Sequence, residues 1–266
     1  MIEGDGALLP AEVRQERIAK VVSEFGFVRV RELSDRFGVS EVTLRSDLDT
    51  LERRGVLRRV HGGAMAGGDT RVERTFEEAA EALSAEKASI GRAAVDLMSS
   101  GESVIIDVGT TTTAMARALV ADTALGDITV ITNSLTIALE VERGAPRLNV
   151  IVTGGTLRPK QHSLVNPLGS AFFSQLRVST LFLGCNGIDP HHGVTNINLP
   201  EAEMKRSMVA ASQRIVVLAD SSKLGATTLA NVCPIDLVDV LVTDRSAPVD
   251  LCAELRARGV QVVIAE

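Results

Sequence analysis

Apolar residues in the first sixty positions recur with helical spacing. Ile18, Val21, Val22 and Phe25 fall at i, i+3, i+4 and i+7, one face of a first helix. A brief FVRV follows, then RELSDRFG, a short helix that Gly38 closes. VS makes a tight turn, and Ser40 stands where it N-caps the next helix. In that helix Leu44, Leu48 and Leu51 line one stripe toward a core. At about 100° per residue the opposite side carries Val42, Arg45, Ser46, Asp49 and Arg53. Gly55 ends it. VLRRVHGGA then predicts a two-stranded wing bearing Arg58, Arg59 and His61.

The pattern breaks at HGGAMAGGDTRVERTFEE, residues 61–78, where paired glycines precede a charged stretch without apolar periodicity. We set a first domain at 8–66, a linker at 67–82 and a second domain at 83–266. In the second, helices alternate with short Val/Ile/Leu runs. AEKASIGRAAVDLMSSG, TTAMARALVA, SLTIALEVER, PEAEMKRSMVAASQ and PVDLCAELRARG read as helices. SVIIDVG, DITVITN, RLNVIVTGG, STLFLGCNGID, RIVVLAD, VDVLVTD and VQVVIAE read as strands. That alternation predicts βαβ units and a mainly parallel sheet covered on both faces, an α/β fold.

Composition narrows the class. At 45% hydrophobic residues the chain can build a proper core. No apolar run reaches the ~18 residues of a membrane span, and the acidic N-terminus is no signal peptide. Cys185, Cys233 and Cys252 are odd in number and lack CxxC or Cys/His spacing, which argues against disulfides and zinc and for a reducing cytoplasm. The net charge of −6 is uneven: residues 1–66 hold 11 basic and 11 acidic side chains, so the surplus acid lies in the second domain.

A helix, a Gly-containing turn and a second helix with small polar and Arg residues at its exposed start form the geometry that lays a helix in the DNA major groove. Arg45 can reach base edges. Ser40, Thr43 and Ser46 can meet phosphate or base beside the exposed Val42. Arg53, Arg54, Arg58, Arg59 and His61 suit backbone phosphates. Asp47 lies toward the core flank and is expected to orient an arginine. The bland alternative is a solvated helix pair with ordinary surface arginines.

In the second domain, IIDVGTTTTAMARAL ends a strand at Asp107, turns at Gly109 and opens a helix with Thr110, Thr111, Thr112 and Thr113. The first N–H groups of a helix lack internal acceptors and sit at the positive end of its dipole, a place for an anion. Threonine is a poor helix former, so four in a row cost more than simple capping requires. The loop is neither GxxxxGK[ST] nor GxGxxG, so no nucleotide cofactor is implied. Other strand ends carry Thr132, Asn133 and Ser134; Gly154 and Gly155; Gly184, Asn186 and Gly187; Asp220 and Lys223. Ligands of open α/β sheets sit beyond such ends, and the recurrence favours a polar, phosphorylated one.

The first domain resembles the winged helix–turn–helix of the DeoR family of bacterial sugar-metabolism regulators, through Arg14, Ile18, Val22 and VSEVTLRSDLDTLERRGVLRRVHGGA. One departure is Ser46, where the family usually has a basic residue. The second domain resembles the family's effector domain in Lys87 of EKASIGRAA, and in DVGTTT, VITNSL, TGGTL, LGCNGID, EAEMKRSM and LADSSKLG. The resemblance implies a fold similar to ribose-phosphate isomerases and coenzyme A transferases, and a sensor of a phosphorylated sugar. The DVGTTT loop would hold the phosphate, and Asn133, Glu203, Lys205 and Lys223 would read the sugar. The partners implied are double-stranded operator DNA, the sugar phosphate and a homo-oligomer, dimer or tetramer. A sugar-phosphate isomerase with an appended helical module remains the alternative, with Asp107, Asp189, Glu201 and Glu203 as bases on paper.

Overall fold

The computed structural model describes residues 9–25, 27–54, 56–60, 62–66 and 73–266, with backbone alone for Ser23, Glu24, Phe25, Phe27, Arg58, Val60, Met65 and Ala66. Among them no helix is long and apolar enough to cross a membrane. The chain divides into two compact units, Met1–Val72 and Glu73–Glu266.

The first unit runs α1 (Ala11–Phe25), β1 (Phe27–Arg29), α2 (Val30–Phe37), α3 (Glu41–Arg53), β2 (Leu57–Val60) and β3 (Gly63–Ala66). Its core is the helical stripe: Ile18, Val22, Leu33, Leu44 and Leu48 are fully buried. Side chains of this kind are worth about 1.5–3 kcal/mol each when buried. Gly38 closes α2 at φ 63°, and its N–H donates to the Ser34 carbonyl. The Ser40 hydroxyl accepts the Thr43 N–H at 3.2 Å and so caps α3. The wing has three strands, not two, in the order β1-β3-β2. FVRV supplies the extra one, because Val28 turns its side chain into the core while the backbone of residues 27–29 pairs with β3. Helix α3 ends at Arg53 with Arg54 as its cap; Gly55, the expected stop, and His61 lie outside the described residues.

The expected linker is shorter than 67–82. Its part at 67–72 lies outside the described residues, but Phe76–Glu81 is a helix, α4, in the second unit. Thr75 and Glu78 hold its start reciprocally: the Glu78 N–H donates to the Thr75 hydroxyl and the Thr75 N–H to the Glu78 carboxylate. This Thr-x-x-Glu capping box, with Phe76 buried, is the signal that charge alone obscured.

The unit continues with α5 (Ser84–Val95), β4 (Ser103–Ile106), α6 (Thr110–Ala121), β5 (Thr129–Thr132), α7 (Leu135–Gly144), β6 (Asn149–Val152), β7 (Thr156–Arg158), β8 (Ser163–Val165), α8 (Leu168–Phe173) and β9 (Val178–Gly184). Then come β10 (Gly187–Asp189), β11 (Gly193–Asn196), α9 (Leu199–Ala211), β12 (Ser212–Leu218), β13 (Ala230–Cys233), β14 (Val240–Thr243), α10 (Val249–Ala257) and β15 (Gln261–Ile264). Seven strands form a parallel sheet ordered β15-β14-β12-β9-β4-β5-β6. Alternate residues enter two cores. Ile105, Leu181 and Val217 pack with Met204 and Met208 of α9; Ile106, Phe182 and Val216 pack with Ile90 of α5 and Met115 of α6. Continuous apolar runs are what a sheet buried on both faces requires.

STLFLGCNGID is not one strand. It breaks after Gly184, and Gly187–Asp189 turns into a separate antiparallel sheet ordered β10-β11-β13. The break serves the architecture: β4 has β5 on one side and β9 on the other, so the direction of winding reverses between β4 and β9. Such a switch point opens a crevice beyond the strand ends.

Candidate functional site

In the first unit, α3 presents Val42, Arg45, Ser46 and Arg53 on its exposed side, and Arg54 is exposed at its end. Arg45 makes an i,i+4 pair with Glu41 at 3.0 Å, both about half exposed. Arg53 donates to the Thr50 hydroxyl. The Ser40 and Thr43 hydroxyls bond each other at 2.9 Å, so the cap uses part of their capacity. Arg59 is already engaged: its guanidinium pairs with Asp49 and its N–H donates to Glu52, which braces the wing against α3. Only the backbone of Arg58 is described. Asp47 accepts from Arg14 Nε at 2.6 Å, Arg14 Nη2 at 3.2 Å and Gln15 at 2.9 Å. That buried cluster fixes α3 on α1 and leaves the opposite face open.

In the second unit the crevice between β4 and β9 holds a buried ion pair. Asp107, fully buried, accepts the Gly184 N–H and the Lys205 ammonium on the same oxygen, Oδ2. Lys205, also buried, donates in addition to the Gly184 carbonyl at 2.9 Å. Asp107 Oδ1 has no partner among the described residues. Burial lifts the Asp107 carboxyl to about 6 against the pull of Lys205. Next to this pair α6 begins. Its first amides, of Thr110, Thr111 and Thr112, have no acceptor four residues back within the helix.

Two more lysines serve the same end of the sheet. Lys87 is buried and donates to the Ala79 and Ala82 carbonyls; burial pushes its ammonium down to about 8, with Asp220 opposing. Burial alone would raise Asp220, but Lys223 and Lys87 outweigh it and hold its carboxyl below the usual value. Burial pushes the Cys185 thiol up to about 12, so it stays protonated near neutral pH. A groove of about 1040 Å³ runs along α5 and α6 and touches this end through Lys87 and Thr110; Asp107 and Lys205 do not line it.

The sequence of the chain compares as follows with known proteins. Residues 14–67 match the DeoR-like helix-turn-helix domain and residues 83–245 the DeoR C terminal sensor domain. The HTH-type transcriptional regulator GlpR of Haloferax volcanii is 36% identical over 96% of this chain and 98% of its own. The chain belongs to the DeoR family of transcriptional regulators. The glycerol-3-phosphate regulon repressor of Escherichia coli K12 is 30% identical over 94% of this chain and 97% of its own. Among solved structures, ribose 5-phosphate isomerase A of Neisseria gonorrhoeae aligns with a TM-score of 0.39 at 15% identity, over 53% of each chain. The relatives are regulators, not enzymes, so the isomerase alternative is set aside.

Within this DeoR-family regulator several expected effector residues hold the frame of the crevice through their own bonds. The Asn133 side chain accepts the Val108 N–H and donates to the Leu164 carbonyl, which leaves it little to read a sugar with. The Thr132 hydroxyl accepts the Ser134 N–H, and the Ser134 hydroxyl caps α7 through Ile137. The Thr112 and Thr113 hydroxyls donate back to the Gly109 carbonyl at 3.0 and 2.7 Å. Gly155, at φ 146°, lies where a Cβ would meet the Val165 carbonyl at 2.2 Å; Gly187 is pressed against Ala226 and Gly184 against the Val108 carbonyl, whereas a Cβ at Gly154 would make only ordinary contact with Leu168. Glu203 lies about 160° around α9 from Lys205, is exposed, and accepts from Asn166. The inward carboxylate of that helix is Glu201, buried and bonded to Arg158, Ser163 and Asn196. Asp189 accepts the N–H groups of His191 and His192 in the turn that follows it. Glu201 was legible as the residue one turn before Lys205, on the same helix face. Arg158 carried no signal of its own.

Proposed function

We propose that the protein represses a carbohydrate-catabolism operon under the control of a phosphorylated sugar. The observation that carries the reading is the Asp107–Lys205 pair at the reversal of the sheet, beside the open amides of α6. The amides of Thr110, Thr111 and Thr112 and the positive end of the helix suit a phosphate. Lys87, Lys205 and Lys223 supply cationic charge, and the unpartnered Asp107 Oδ1 can accept a sugar hydroxyl. The relative named for a glycerol-3-phosphate regulon supports a small phosphorylated compound. Operator DNA is read by α3: Arg45 with Val42 and Ser46 toward bases, Arg53 and Arg54 toward phosphates. The regulator works in the cytoplasm as a homo-oligomer, because arms of this kind act in symmetric pairs on repeated half-sites. Sedimentation showing one chain per particle both on and off DNA would remove that element.

A thermal-shift screen tests the effector. Phosphorylated sugars and polyols are compared with their unphosphorylated forms. The fitting compound, at 100 times its dissociation constant, adds about 2.7 kcal/mol of stability. Equal stabilisation by the unphosphorylated partner, or none across the panel, would overturn the reading.

A further inference from the structure

The first residues of the second unit are gripped by the β7–β8 hairpin. Arg158 Nη2 pairs with Glu73 at 2.6 Å, Gln161 donates to the Arg74 carbonyl at 2.7 Å, and His162 Nε2 lies 2.8 Å from Glu77. The Phe76 and His162 rings meet edge-on. The other side of the hairpin is tied to the crevice. Leu164 exchanges hydrogen bonds with Asn133, which holds Val108 just before Gly109, and Ser163 donates to Glu201. One side chain belongs to both sets: the guanidinium of Arg158 lies between Glu73 and Glu201.

We propose that Arg158 is a positioning residue that couples the crevice to the segment through which the chain leads back to the DNA-reading unit. Two carboxylates share one cation, and all three groups are less than one-fifth exposed, so solvent screens them weakly. A change in the charge or partners of Glu201 therefore alters the hold of Arg158 on Glu73. In the switch, an anionic effector arriving at the crevice makes that change; this consequence rests on the effector reading above, whereas the coupling itself does not.

Hydrogen–deuterium exchange on the full chain, without any added compound, tests the coupling. Arg158→Met is expected to speed exchange of the 76–81 amides by about threefold or more. Glu201→Gln is expected to change the same amides by a similar factor, and this change disappears in the Arg158→Met background. Protection in β4 and β9 reports whether each variant is folded; if Arg158→Met loses it, Arg158→Lys, which keeps the charge but not the fork, takes its place in the cycle. Exchange at 76–81 that ignores Glu201→Gln, or responds equally with and without Arg158, overturns the proposal. Because no effector enters the cycle, its failure is separate from a failure of the thermal-shift screen.

Discussion

Surroundings decide what each charged side chain does here. Arg14 and Asp47 are under 10% exposed and bonded in a fork, so each neutralises a charge that would otherwise be stranded in the core. Arg45, two residues before Asp47 on the same helix, is half exposed and holds Glu41 by a surface pair worth only about 0.3–0.5 kcal/mol. It can exchange that partner for a base edge at little loss. Arg45→Ala is expected to weaken operator binding by about 1–3 kcal/mol in fluorescence anisotropy, with the melting temperature unchanged; undiminished affinity strikes it from the contact surface. Asp107 gives a pH signature. Its folded carboxyl keeps a proton up to about pH 6, whereas a free aspartate loses it near 3.8. Between those values the folded state binds more protons than the unfolded one, so this group's contribution to stability falls as pH rises and levels off above about 6. Asp107→Asn lacks the slope. In urea titrations the stability of the wild type minus that of the variant should fall from about pH 4 to about pH 6.5; a constant difference means Asp107 is not perturbed in this way.

At the level of elements, legibility followed periodicity. The three helices of the first unit carry an apolar stripe and the seven strands of the parallel sheet lie in apolar runs, and that pattern survives folding because one stripe or both faces must be buried; only the end of β9, hidden in the longer run STLFLGCNGID, was misjudged. The β7–β8 hairpin has no such run: Leu157, the one apolar residue of β7, is half exposed. The small sheet of β10, β11 and β13 is short and begins two strands with glycine, so only its tertiary neighbours define it. The crevice beyond the strand ends was legible in outline, but the division of labour inside it was not. Asp107 and Lys205 are 98 residues apart, and Arg158 and Glu201 are 43 apart; spacing along the chain cannot signal such pairs. The four threonines illustrate the point. Thr112 and Thr113 use their hydroxyls to close the turn on Gly109; in the proposed reading that leaves Thr110 and Thr111, with the helix amides, as the donors for phosphate. Thr111→Val is therefore expected to weaken binding of the stabilising phosphorylated compound by about 1.5–3 kcal/mol in calorimetry, the range for a hydrogen bond to a charged group. Operator affinity in the absence of the compound should not change. Full affinity in the variant assigns the phosphate to the backbone alone.

For the whole molecule, the two units make one regulator only if their binding events share free energy. A compound bound in the crevice alters operator affinity to the extent that it binds the DNA-competent and DNA-incompetent states unequally, and tight binding by itself shifts nothing. The expected coupling is about 1–3 kcal/mol, a factor of about 5–150. Thermodynamics then requires the converse: saturating operator must change the affinity for the compound by the same factor and in the same sense. Both halves can be measured on the full chain, one by titrating labelled operator with and without the compound, the other by calorimetry of the compound with and without operator. Equal factors above about fivefold establish the switch. A compound that stabilises the fold yet leaves both affinities unchanged is a ligand of the second unit but not the signal. Arg158 sharpens the comparison, since Arg158→Met should retain binding of the compound while both factors fall together toward one. Loss of only one of them would violate the linkage and would point to binding of the compound at a second place on the protein.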